Sequence, residues 1–209
     1  MAKNKNGLLG LICKIVTLVL CALTVVSFFL PVFSGNKDYK FYSEHSKVSS
    51  CNLVFISAEK AEEKYKEITK DYMAGEISED EAEAKAGKYS LIANLKDEEF
   101  EHKALVTAMA WLHFVAAVLA LGTLVIVALS FLGIRLDKFA KFIVAGATLF
   151  VAIALVLGAV FLGKDTGFDG EYGDYYVLGF GGVILGLIST AIATVASFLS
   201  SPCKKTKKN

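Results

Sequence analysis

The sequence predicts an all-α integral membrane protein, a four-transmembrane-helix antiparallel bundle with a mainly helical ectodomain between helices 1 and 2. Three observations lead to this fold class. Hydrophobic residues make up 55% of the 209 residues, whereas a soluble domain contains about 45–50% apolar residues even when glycine is counted. Four long stretches without central charge hold the excess. Basic residues gather in alternate segments between those stretches.

Each of the four apolar stretches is long enough to cross a bilayer as a helix, which takes about 20 residues. None of them contains Asp, Glu, Lys or Arg in its central portion. Backbone groups that cross lipid must be hydrogen-bonded within a helix or a closed β-barrel. Strands of a membrane barrel are about 10 residues long with alternating polarity, whereas these stretches are longer and uniformly apolar. The predicted transmembrane helices are therefore 15–33, 104–132, 142–163 and 175–200.

Charge in the intervening segments predicts the orientation, because Lys and Arg near the ends of spans stay in the cytoplasm. The segments 1–14, 133–141 and 201–209 together carry ten Lys or Arg residues and one Asp. The loop 164–174 carries four acidic residues and one Lys. We therefore expect a multi-pass protein of the cell membrane with both termini in the cytoplasm. Signal-peptide cleavage after Ser34 stays open as an alternative, and it would leave three spans.

The basic tail 201–209 is a candidate for binding anionic lipid, since each Lys or Arg near the inner leaflet contributes about 1 kcal/mol. Cys203 in this tail is a candidate for palmitoylation. Cys51 is the one cysteine expected outside the membrane and the cytoplasm. We therefore expect no disulfide framework within the ectodomain.

The segment 34–103 is the one sizeable part predicted outside the membrane. Its first part, 34–57, is expected to form short extended pieces joined by polar turns. A helical hairpin is predicted for 58–96 from apolar residues that recur at intervals of three and four. A lead-in helix is predicted over 97–103, continuing without a break into the second span.

Caps and turns define the two helices of the predicted hairpin. Ser57 is the predicted N-cap of the first helix and Gly75 its stop, while Ser78 and Glu81 predict a capping box at the start of the second. The apolar stripes of the two helices either pack against each other or present a candidate interaction face, because tyrosine is enriched at interfaces. The residues of this candidate face are Tyr65, Ile68, Tyr72 and Tyr89.

Small residues in the third and fourth spans predict where helices pack closely. In lipid, close backbone approach replaces the missing hydrophobic drive between helices. Gly182 and Gly186 form a Gly-x-x-x-Gly pair that Thr190 continues at the same interval. Ala154 and Gly158 form a similar small face on the third span. We expect these residues to pack inside the bundle.

Candidate chemistry is sparse in this chain. His113 is the one histidine within the predicted spans, and Trp111 beside it predicts a position near the bilayer interface. We therefore expect His113 to be a hydrogen-bonded interface residue. A nucleophilic Ser needs an activating base, and a zinc site needs three or four convergent ligands. The sequence predicts neither, so no catalytic residue, metal site or cofactor is expected.

With a large first outer loop and a small second one, the predicted topology is similar to that of claudins and other tetraspan proteins. The claudin signature in the first outer loop has a Trp and two Cys, whereas this segment contains only Cys51 and no Trp, so no residue role is carried over. We expect a non-enzymatic protein whose ectodomain binds a membrane or extracytoplasmic protein or organises a membrane complex. A pore or transporter subunit is the second hypothesis, and an intramembrane enzyme the third. Nucleic acid is not an expected partner.

Overall fold

The computed structural model describes residues 2–36, 46–134, 136–162, 167–170, 173–178 and 181–200. Within these ranges the chain is mostly helical. The helices are α1 (Ala2–Ser27), α2 (Ser50–Phe55), α3 (Ala58–Met73), α4 (Glu79–Lys96), α5 (Lys103–Phe131), α6 (Asp137–Leu162) and α7 (Gly181–Ser200). The strands are β1 (Pro31–Asn36), β2 (Ser46–Ser49), β3 (Gly167–Gly170) and β4 (Gly173–Leu178).

Four helices within the described residues are long and apolar enough to cross a membrane. They comprise Leu8–Ser27 of α1, the whole of α5, Lys138–Leu162 of α6 and the whole of α7. Each exposes large apolar side chains, among them Val19 at 55%, Val118 at 50%, Leu149 at 61% and Ile188 at 53%. Such extended apolar surfaces are unfavourable in water and favourable in lipid. The prediction of four helices that are long and apolar enough to span a membrane is confirmed.

The first span ends earlier than predicted. α1 stops at Ser27, and the residues from Pro31 onward form β1 instead of the end of a helix. Pro31 has no N–H to donate and disfavours helical backbone at the residue before it. Val32 and Phe33 are each 1% exposed. Their apolar side chains therefore belong to a protein core and not to the lipid surface.

The fourth span begins later than predicted. Residues 173–178 form β4, and α7 begins at Gly181. The aromatic and β-branched residues at 175–177 favour a strand, and β4 has a pairing partner on each side. The acidic loop predicted over 164–174 therefore contains β3 and the beginning of β4.

The four strands form one antiparallel sheet with the order β2-β1-β4-β3. β1 and β2 come from the segment between the first and second spans, whereas β3 and β4 come from the segment between the third and fourth. In the central pair, Gly35 lies opposite Val177. The all-α prediction missed this sheet, because local periodicity carries no information about pairing between segments so far apart in the chain.

A short helix replaces part of the extended segment predicted over 34–57. α2 begins after Ser49, whose Oγ accepts a hydrogen bond from the Asn52 N–H at 3.3 Å. The Asn52 Oδ1 accepts in return from the Ser49 N–H at 3.2 Å. This complete capping box stabilises a helix start, which outweighs the strand preference of the apolar residues that follow.

The predicted lead-in helix over 97–103 is absent from the structure. α4 ends at Lys96, and α5 begins only at Lys103. Between them, the Asp97 Oδ1 accepts a hydrogen bond from the Glu99 N–H at 2.8 Å. This local side-chain bond competes with helical hydrogen bonding, so a turn separates the hairpin from the second span.

The chain divides into two compact units. Unit 1 consists of Met1–Ser27, Val115–Val151 and Leu185–Asn209. One cluster in its core takes a fully buried residue from each of α1, α5, α6 and α7, and the four are Cys21, Ala120, Val144 and Ala193. Unit 2 consists of Phe28–Phe114 and Ala152–Ile184, and it contains the sheet and the helices α2, α3 and α4.

Candidate functional site in the segment between the first two spans

The hairpin of α3 and α4 occupies most of this segment. The Ser57 Oγ accepts from the Lys60 N–H at 3.3 Å, and the Ser78 Oγ accepts from the Glu81 N–H at 3.3 Å, so each helix begins with a serine cap. Gly75 follows α3 with a φ of +74°. A side chain is strained in that left-handed conformation, which explains why a glycine makes this turn.

The hairpin has a small core of its own. Ile68, Ala82 and Ala86 are buried at its centre, and Tyr65, Tyr72, Ile77 and Tyr89 pack against them while keeping part of their surface exposed. The four residues of the candidate interaction face therefore all take part in the packing between α3 and α4. They are Tyr65, Ile68, Tyr72 and Tyr89. Ile68 itself is only 8% exposed.

The other side of α3 is charged and exposed. Lys64 pairs with Glu67, and Lys66 pairs with Glu62 at 3.6 Å. The hydrogen bond to Glu67 raises the pKa of Lys64 above its usual value. Exposed ion pairs of this kind contribute little to stability. Their main effect is to keep this face hydrated and polar. The exposed residues of this face are Glu59, Lys60, Glu63, Lys64, Lys66, Glu67 and Lys70.

The base of the hairpin is built into the core of unit 2. Leu91, Ile92 and Leu95 of α4 are fully buried, and α4 packs against β2 and α2. The Lys96 Nζ donates a hydrogen bond to the Ile56 carbonyl, which caps the end of α2. Burial, and then the neighbouring charge of Lys103, lower the pKa of Lys96 below its usual value. α4 therefore anchors the hairpin to α2 and β2 through buried contacts.

Ser50 of α2 and His113 of α5 form a buried polar pair. Their side chains are both at 0% exposure, and the Ser50 Oγ lies 2.8 Å from the His113 Nδ1. The Phe28 ring packs edge-on against the imidazole with a centroid distance of 5.8 Å. The sequence predicts a hydrogen bond at His113 but contains no local signal for Ser50, which lies 63 residues away in the chain.

A serine next to a histidine also has the composition of a nucleophile and its base. Catalysis by such a pair requires access for substrate and free N–H donors for the developing oxyanion. The adjacent donors are already used: the Cys51 N–H donates to the Phe28 carbonyl at 3.2 Å, and the Asn52 N–H donates to Ser49. The full burial of Ser50 and this use of its neighbouring amides favour a structural role for the pair.

The predicted packing residues Gly182, Gly186, Thr190, Ala154 and Gly158 are all buried. The Thr190 Oγ1 donates to the Gly186 carbonyl at 2.9 Å. Other hydroxyls in the spans likewise donate to the carbonyl four residues earlier, and these are Thr17, Thr24, Thr123 and Thr148. Since these hydroxyls are satisfied by their own helices, they can be buried without water.

Metal and thiol chemistry has little support in the described part of the chain. No group of three or more His, Cys, Asp or Glu side chains there is close enough to hold a metal ion. Cys51 is a half-buried free thiol whose pKa is raised by burial, an effect that the charge of Lys88 opposes. Arg135 and the basic tail 201–209, with Cys203, lie outside the described residues.

Comparisons with protein-family models, with curated proteins and with solved structures find no match. Function is therefore inferred from the residues of this chain alone. Two features of unit 2 bear on it: the charged outward face of α3 and the buried contacts that hold α4 and α2 in place.

Proposed function

We propose that this chain is a non-enzymatic membrane protein that uses the α3–α4 hairpin to bind a partner protein and so organises a membrane complex. Its four spans form an antiparallel bundle in the cell membrane, with both termini in the cytoplasm. One observation carries the proposal. The hairpin has its own core and a buried base, yet α3 turns a charged, exposed face away from both.

The chemistry of that face indicates the kind of partner. Lys and Glu alternate along it, and apolar side chains of α3 are largely used inside the hairpin. A partner that matches mixed charges would be a polar surface of a membrane or extracytoplasmic protein. Charge complementarity of this kind provides specificity and faster association more than it provides affinity.

Orientation is supported by the distribution of charge. Ten Lys or Arg residues in 1–14, 133–141 and 201–209 favour the cytoplasm for those segments. The hairpin then faces outward. The positioning of the basic tail beside the inner leaflet would also allow it to bind anionic lipid.

The pore or transporter alternative would need polar groups lining a cavity within the membrane. The span hydroxyls that donate to their own helices offer no such lining, and the Thr148 and Thr194 side chains meet each other at 2.9 Å within unit 1. These bonds favour packing. Ion or solute flux through liposomes containing the purified protein alone would overturn this assignment.

Site-specific photo-crosslinking in native membranes tests the proposal. A photoreactive amino acid is placed at Glu63, Lys66 or Lys70 on the exposed face of α3, with Leu149 as the control because it is exposed on an apolar span. We expect a discrete protein adduct from the α3 positions and none of the same mass from the control. Absence of any protein adduct from Glu63, Lys66 and Lys70 would contradict partner binding by this face.

Substitution is preferable to deletion of the hairpin in such experiments. Leu91, Ile92 and Leu95 belong both to α4 and to the core of unit 2. Removing the hairpin would therefore expose that core, and a lost interaction could not be separated from unfolding. Reversing charges at Lys60 and Glu63 changes the binding face and leaves those buried residues in place.

A further inference from the structure

Aromatic side chains gather around Phe28, the residue that follows α1. Phe28 is 4% exposed, and the ring centroids of Phe29, Phe55 and Phe114 lie 5.4, 6.4 and 5.5 Å from its own. Phe55 and Phe114 are 5.5 Å apart, and Trp111 lies 5.6 Å from Phe114. These five residues form the aromatic cluster of unit 2.

The outer members of the aromatic cluster are exposed in the isolated chain. Phe29 and Phe55 are each 61% exposed, and Trp111 is 48% exposed. Ring contacts connect them through Phe28 and Phe114, so the three exposed rings belong to one apolar cluster instead of being scattered. Exposure of several large aromatic side chains to water is unfavourable in free energy. Such a patch marks a site that binds lipid, a ligand or another protein.

α2 holds Phe55 in this patch and contains no charged residue. The bond between Ser50 and His113 joins the beginning of α2 to α5. The Cys51 N–H joins it to the Phe28 carbonyl at 3.2 Å. α2 is therefore held beside the residue that follows the first span and beside the second span itself.

The aromatic cluster is continuous with helices that are apolar enough to cross a membrane. Phe28 and Phe29 directly follow the span that ends at Ser27, and Trp111 belongs to the span of α5. Trp111 comes eight residues after Lys103 at the start of α5, which is about 12 Å along a helix axis. The headgroup region is about 5–8 Å thick on each side of a bilayer. With Trp111 at the boundary of headgroups and acyl chains, where tryptophan is enriched, Lys103 would lie in the water just outside the headgroups.

We propose that α2 is an interfacial helix that rests in the membrane surface, with Phe55 inserted among the lipid acyl chains beside Phe29 and Trp111. The occupant of the exposed aromatic patch is phospholipid, in the leaflet on the side of the α3–α4 hairpin. Interfacial helices place Phe and Trp toward the chains and basic groups toward the headgroups. Lys96, bound to the carbonyl of Ile56 next to Phe55, supplies such a group at the polar edge.

Tryptophan fluorescence in vesicles tests this inference directly, because the chain contains one Trp. The full-length protein is reconstituted in phosphatidylcholine vesicles whose acyl chains are brominated either near the headgroup or near the methyl end. Wild-type protein reports the depth of Trp111. The double variant W111F/F55W reports position 55 of α2, with a ring that replaces the native phenylalanine conservatively.

A matched control uses the double variant W111F/M73W. Met73, at the end of α3, is 80% exposed and lies at the far end of the hairpin helix from its Ser57 cap. We expect blue-shifted emission from position 55, quenched several-fold more strongly by the headgroup-side bromines than the emission from position 73. Position 73 is expected to emit at long wavelength and to be quenched by aqueous acrylamide.

Emission from position 55 that is insensitive to brominated lipid would overturn the proposal. If that emission is also shielded from acrylamide, a second copy or another protein covers the patch; if it is acrylamide-sensitive, α2 is in water. Should F55W not fold, a nitroxide on Phe55→Cys in a background free of other cysteines replaces it. Higher accessibility to membrane-dissolved oxygen than to an aqueous nickel complex is then expected, and the reverse order would contradict lipid insertion.

Discussion

The Ser50 hydroxyl and the His113 imidazole meet with 2.8 Å between Oγ and Nδ1, and neither side chain is exposed. A buried polar group that loses its partner keeps the cost of desolvation without the compensating bond. The bond between the two residues thus stabilises the contact of α2 with α5. The same bond sets the position of Phe55 at the other end of α2.

Replacing Ser50 by Ala is expected to lower the free energy of unfolding by about 1–3 kcal/mol, because the imidazole loses a buried hydrogen-bond partner. The measurement is denaturant unfolding in detergent micelles followed by circular dichroism. In the double variant S50A/H113F the loss should be smaller than the sum of the two single losses, since residues in direct contact are coupled. Strictly additive losses would show that the two side chains do not interact.

Ser50 is expected to resist covalent labelling by fluorophosphonate probes. The hydroxyl is fully buried, and the N–H groups of Cys51 and Asn52 already have acceptors. The measurement is mass spectrometry of the purified protein after treatment, with Ser50→Ala as the control. An adduct at Ser50 that is absent from S50A would contradict the non-enzymatic proposal.

We expect truncation of the core of the α3–α4 hairpin to destabilise the hairpin. Ile68→Ala removes a side chain that is 8% exposed, and such truncations cost about 2–5 kcal/mol. Hydrogen exchange of the α3 amides should accelerate, while Glu63→Ala on the exposed face should change stability by less than about 0.5 kcal/mol. Equal effects of the two substitutions would mean that α3 and α4 do not pack through Ile68.

Cys51 is expected to react slowly with maleimide near neutral pH. Burial raises the pKa of its thiol, and the charge of Lys88 partly offsets this. The thiolate is the reactive form, so the rate should rise with pH through the alkaline range, and Lys88→Gln should slow it further. Cys51 is compared with Met73→Cys, each as the only cysteine. Equal rates at neutral pH, or acceleration by Lys88→Gln, would contradict this prediction.

Thiol labelling in intact cells tests the orientation. Met73 and Leu132 are both well exposed, at 80% and 78%. Met73 belongs to the segment predicted outside the cell, whereas Leu132 is the last residue of the second predicted span, at its cytoplasmic end. In a cysteine-free background, Met73→Cys should react with an impermeant maleimide in intact cells. Leu132→Cys should react only after the cells are permeabilised. The opposite pattern would reverse the assignment of both termini to the cytoplasm.

Local signals in the sequence account for several elements of the fold. The serine caps at Ser57 and Ser78 and the turn at Gly75 act within a few residues, so their effect is visible without the rest of the chain. The sequence predicts the end of the first span and the start of the fourth wrongly, because both depend on strand pairing between distant parts of the chain. An apolar residue such as Val32 has the same pattern whether it faces lipid or a protein core.

The candidate site was less predictable than the spans. Tyr65 and Tyr89 were recognised as one candidate face, but whether that face meets a partner or the neighbouring helix depends on how α3 and α4 pack. His113 was recognised as unusual, whereas Ser50 and the aromatic ring of Phe55 carried no signal of their own. These contacts join residues that are distant in the chain, and hydrophobic periodicity gives no information about such contacts.

The sequence by itself determined that four segments are helical and apolar enough to cross a membrane, because length, hydrophobicity and absence of charge are properties of each segment alone. Only the tertiary structure decided that the segment between the first two spans shares a sheet with the segment between the last two, and that Ser50 meets His113. Strand pairing and buried hydrogen bonds depend on which distant groups satisfy one another once water is excluded.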